Sequence, residues 1–164
     1  MSASTAKIVN FSEIRDNESV DDILHRAETR ANERGVAYRG DLTPEEAWRL
    51  VQEYPGAKLV DVRTAEELTL IGRVPGTVDI PWRLFHDWES NPRFLRDIKK
   101  TFLPGDVILL LCRSGVRSRE AAELLVSEGF DNCFNVLEGF EGDKNEAGQR
   151  VVAGWKVRGL PWSQ

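Results

Sequence analysis

Helical and strand periodicities alternate along most of the chain. Val20, Ile23, Leu24, Ala27 and Ala31 recur at helical spacing and predict a helix over 19–34. Ser19 stands at its N-cap with Asp22 three residues on, and Gly35 lies just past its end. A second helix begins at Thr43, with Pro44 at the first helical position and Glu46 at the capping-box position. It buries Ala47, Leu50 and Val51. Short apolar runs at 58–62 and 76–80 predict strands, with a short helix over 64–70 between them. Residues 91–101 read as helix, with Phe94, Leu95 and Ile98 on one face. Pro104-Gly105 then breaks the chain before 107–111, the most apolar run present. A run apolar at every position implies burial on both faces, as in a central strand of a parallel sheet. Residues 118–128 are again helical, with Gly129 as the stop, and 133–136 form a last short strand.

Strands separated by helical segments of this length predict an α/β fold with a mostly parallel sheet. Such sheets bind ligands beyond the carboxyl ends of their strands. Cys112 sits at that end of the strongest strand.

Composition narrows the function classes. The 164 residues fit one domain with a substantial core. A net charge of −5 argues against a general binder of nucleic acid or anionic membrane. The first residues lack an apolar run behind a basic start, which reads against a secretory signal. Two cysteines, Cys112 and Cys133, are too few for a disulfide framework, so a reducing cytoplasm is expected.

The chemistry concentrates in the segment Cys112-Arg113-Ser114-Gly115-Val116-Arg117-Ser118. A thiol facing a helix N-terminus meets unpaired N–H groups and the positive end of the helix dipole. Arg113, Arg117 and Arg119 add fixed positive charge. Both effects favour thiolate over thiol. Gly115 admits backbone angles closed to other residues, so successive N–H groups can turn inward as an anion-binding nest. The two histidines, His25 and His86, show no pattern linking them to Cys112. A peptidase thiol needs a base and later an acid. Attack on a sulfur–sulfur bond needs neither, because sulfite leaves as an anion.

This loop, with three other segments, resembles the rhodanese family. Residues 59–67 (LVDVRTAEE) are similar to its first signature, and 72–77 (GRVPGT) to its Gly-His-Ile-Pro-Gly-Ala stretch. Residues 135–140 (NVLEGF), followed by Gly154-Trp155 and Gly159-Leu160-Pro161, resemble its C-terminal signature. The resemblance implies a five-stranded, mostly parallel sheet flanked by helices, here with an extra N-terminal helix. It divides the chain into a helical extension over 1–38 and a rhodanese-like domain over 39–164, with an insertion at about 141–153.

By that resemblance Cys112 cycles between thiolate and persulfide. A small anionic donor such as thiosulfate loads the sulfur, and cyanide or a thiol, including a protein acceptor, removes it. Arg113, Ser114, Gly115, Val116 and Arg117 form the substrate loop, Arg113 and Arg117 holding the anionic part of the donor and Ser118 supporting it. Asp61 either orients an arginine or loop N–H groups, or caps the turn before the helix at Thr64. Arg63 reads as an ion-pair partner for Glu66 or Glu67, and Cys133 as a buried structural thiol. No cofactor, metal, nucleic acid or membrane is implied. Two alternatives differ in class: a persulfide carrier with little turnover of its own, and a phosphatase or arsenate reductase. The latter's loop is one residue longer than the C-x4-R spacing here.

Overall fold

The computed structural model describes residues 18–164. The segment that reads against a secretory signal lies almost wholly outside them, as does the first half of the extension over 1–38. Helix α1 (Val20–Arg34) carries the full capping box at Ser19 and Asp22, and Gly35 ends it at φ 68. Strand β1 (Gly40–Leu42) and helix α2 (Pro44–Glu53) follow, the latter capped reciprocally by Thr43 and Glu46. Then come β2 (Lys58–Asp61), α3 (Ala65–Leu70) and β3 (Val78–Asp79). A small hairpin, β4 (Arg83–Leu84) and β5 (Glu89–Ser90), precedes α4 (Phe94–Thr101). The chain continues through β6 (Ile108–Leu111), α5 (Val116–Ser127) and β7 (Cys133–Val136).

Five strands form one parallel sheet in the order β1-β7-β6-β2-β3. β6 is central, and alternate residues of its run feed opposite layers. Leu109 and Leu111 pack with α1, α2, Phe140 and Trp155, whereas Ile108 and Leu110 pack with α4 and α5. Ile23, Leu24 and Ala27 of α1 belong to the first layer, so the N-terminal helix shares the domain's core. Among the described residues no helix is long and apolar enough to cross a membrane.

Several boundaries differ from the sequence expectation. α5 begins at Val116 rather than 118, because Gly115 at φ 101 supplies its N-cap without a side-chain bond. The strand expected over 76–80 contracts to Val78–Asp79, and the helix expected from 91 starts at Phe94. There Asn91 instead forms a turn, its side chain accepting from the Arg93 N–H. The segment 141–153 is tied at its base by Glu138, whose carboxylate accepts from the Gly154 N–H and from Arg158.

Candidate active site

The register sets which groups meet at the sheet's carboxyl edge. Asp61 of β2 pairs with Leu111 of β6, and Asn135 of β7 pairs with Leu110. Cys112 therefore leaves the sheet between these two neighbouring strand ends. Its residue is only 1% exposed, but it lines a cavity of about 300 Å³ with Arg83, Trp88, Arg113, Ser114, Val116, Arg117 and Glu120. The thiol thus lies at the floor of a pocket.

The loop bends around the sulfur. The Gly115 N–H donates to Cys112 Sγ at 3.1 Å, and Ser118 Oγ lies 3.3 Å from the sulfur. The Ser118 hydroxyl donates to Asn135 Oδ1 at 2.6 Å, while Asn135 Nδ2 donates to the Gly115 carbonyl at 3.3 Å. Asn135 thus fixes both groups that touch the sulfur. From the other side, the Phe140 N–H donates to the Cys112 carbonyl, and those of Glu141 and Gly142 to that of Arg113. Gly139 makes this approach possible. At φ 66, a Cβ there would stand 2.5 Å from the Arg113 backbone.

The arginines divide by role. Arg117 gives Nη1 and Nη2 to Glu67 at 2.7 and 2.9 Å, and its guanidinium lies 4.7 Å from the centre of the Trp88 ring. Burial opposes the charge on Glu67. The bonds and charge of Arg117, together with the Thr64 N–H and the charge of Arg63, outweigh it and hold the carboxyl below the usual glutamate range. Arg113 differs: its buried Nε has no hydrogen-bond partner. An unpaired buried donor beside a cavity suits an incoming anion. Arg83 enters the cavity from the hairpin, its Nη1 reaching the Trp88 carbonyl at 3.3 Å and Ser90 Oγ at 3.4 Å.

Asp61 fits both expectations: its Oδ1 accepts from the Arg63 N–H at 3.0 Å, turning the chain before the helix at Thr64, and its carboxylate holds an arginine, Arg63. The pair is fully buried, with Arg63 Nη2 at 2.8 Å from Asp61 Oδ2 and donating also to the Gly72 carbonyl. Arg63 thus bonds Asp61 instead of Glu66 or Glu67, because Arg117 already occupies the Glu67 carboxylate. Arg73 forms an ion pair with Asp79. Cys133 is fully buried in β7, and burial pushes its thiol up to about 12.

Every loop residue expected from sequence lies at this site. Ser118 meets the sulfur and Asp61 stands one strand away. Glu67, Arg83, Trp88, Glu120 and Asn135 were not among the expected site residues. For Glu67 the capping box at Thr64 was a legible signal, but for helix start alone.

The family model for the rhodanese-like domain matches residues 43–146. An uncharacterized Rickettsia rickettsii protein, the RP600 homolog, is 35% identical over 122 residues, covering 71% of this chain and 90% of its own. The thiosulfate sulfurtransferase GlpE of Actinobacillus pleuropneumoniae is 30% identical, with 74% and 90% covered. Among solved structures, Rv0390 of M. tuberculosis superposes with a TM-score of 0.72 at 36% identity, covering 78% of this chain and 99% of that one.

Proposed function

The chain belongs to the rhodanese-like domain family, and from that premise we propose that it is a sulfurtransferase carrying sulfane sulfur on Cys112. The observation that carries this reading is the cradle of the sulfur: a Gly115 N–H on Sγ at the floor of a cavity with an unpaired Arg113 donor.

In the loading step the Cys112 thiolate attacks the outer sulfur of a donor such as thiosulfate. A Cys112–sulfur bond forms, the donor's sulfur–sulfur bond breaks, and sulfite leaves with the electron pair. The persulfide's outer sulfur then stands in the cavity, where cyanide or a thiolate takes it and returns Cys112 as thiolate. Arg113 and Arg83 hold the anionic part of the donor. Arg117, fixed by Glu67, holds the shape of the loop, and Ser118 with Asn135 positions the sulfur. Two buried cysteines, both free, fit a reducing cytoplasm.

Thiosulfate and cyanide supplied together test the reading. Wild-type protein should release thiocyanate with turnover, and Cys112→Ser should release none. Equal rates in both proteins would sink it.

A further inference from the structure

The cavity above Cys112 is larger and less charged than an inorganic donor requires. Thiosulfate has five heavy atoms; at about 30 Å³ for each water-sized group, it fills on the order of 150 Å³. The cavity holds about 300 Å³. Its charges also cancel in part. Arg117 is neutralised by Glu67, and Glu120 faces the same space, its carboxylate accepting from Trp82 Nε1 at 3.1 Å. Arg83, Arg113 and Arg117 against Glu67, Glu120 and the Cys112 thiolate leave no net positive charge. That suits a monoanion better than the thiosulfate dianion.

Two apolar side chains, Val116 and Trp88, stand among the polar groups that line this space. Val116 is 61% exposed at one lip and Trp88 is 44% exposed at the other. Trp88 also holds φ at 61, a left-handed conformation that a bulky residue adopts at a cost. Its carbonyl is held there by Arg83, and its ring covers the guanidinium of Arg117. A large ring kept half in solvent, in a costly backbone conformation and against the reactive loop, is placed for contact with a ligand.

The geometry points to Trp88 as a specificity-determining residue for an organic monoanionic sulfur donor. Its transferable sulfur carries or adjoins the charge, and its apolar or aromatic body lies between Trp88 and Val116. This inference rests on the sulfurtransferase reading and names its substrate class. With a thiosulfonate R–SO2–S⁻, the Cys112 thiolate bonds to the terminal sulfur and the bond between the two donor sulfurs breaks. The sulfinate R–SO2⁻ departs with the electron pair, leaving Cys112 as persulfide.

Benzenethiosulfonate and methanethiosulfonate, with cyanide as acceptor, separate the body from the reacting group. The ratio of their kcat/KM values should favour the aryl donor in wild type and fall about tenfold in Trp88→Ala. Trp88→Phe, which keeps a ring, should restore most of the ratio. A ratio unchanged in Trp88→Ala, whether both rates fall together or neither does, would overturn the inference and leave Trp88 as a cover for Arg117. If neither donor loads Cys112 in wild type while thiosulfate does, this inference fails alone; if thiosulfate fails to load it as well, the sulfurtransferase reading falls with it.

Discussion

Around the sulfur, single side chains are held by specific partners, and removing one partner has a calculable sign. Glu67→Gln keeps the helix cap but deprives Arg117 of its counter-charge. The expected cost is about 2 kcal/mol, because the pair is mostly buried and joined by two charge-assisted bonds. The pH dependence follows from the lowered Glu67 carboxyl. A carboxyl depressed in the folded state contributes stability above its unfolded value of about 4.3, and that contribution is lost as pH falls through the lower folded value. Denaturant midpoints of wild type and Glu67→Gln should therefore differ at neutral pH and converge in acid. A gap that persists unchanged below that range would contradict the ion-pair role. Gly139→Ala presses on the Arg113 backbone and not on the hydrophobic layers. It should lower sulfur transfer at least tenfold while far-UV circular dichroism stays that of wild type; full activity would mean that the loop is not held from that side.

Helix α1 contributes Ile23, Leu24, Ala27 and Ala31 to burial, so it should behave as part of the domain and not as an arm. Ile23→Ala removes a fully buried side chain and should cost about 2–4 kcal/mol, read as a lower midpoint in a single unfolding transition. An unchanged midpoint would show the helix to be dispensable. This helix was legible because two independent signals agree, a capping box and a sustained apolar stripe. The central strand was legible because its sequence is apolar on both faces. β1 was not, since three residues carry no periodicity and one of them is a charge. Asp41 is buried there only because Tyr38 and Arg34, from outside the strand, bond its carboxylate. The hairpin β4–β5 was missed for a similar reason: two residues a strand leave no pattern to read.

Taken together, the fold brings to one sheet edge groups that lie far apart in the chain. Cys112 to Ser118 could be read as a block because the loop is contiguous. Glu67 lies 50 residues from Arg117 in sequence, and Asn135 lies 17 from Ser118, so only the packed sheet joins them. The two cysteines also part at this scale. Cys112 meets a cavity and a backbone donor, whereas Cys133 is sealed within β7 and its thiol stays protonated. The most direct test is therefore where a transferred sulfur comes to rest. Protein incubated with excess thiosulfate, then digested and weighed by mass spectrometry, should show one added sulfur on the peptide containing Cys112. The peptide containing Cys133 should be unmodified, and cyanide should remove the addition. Sulfur found on Cys133, or on neither peptide, would contradict persulfide chemistry at this site.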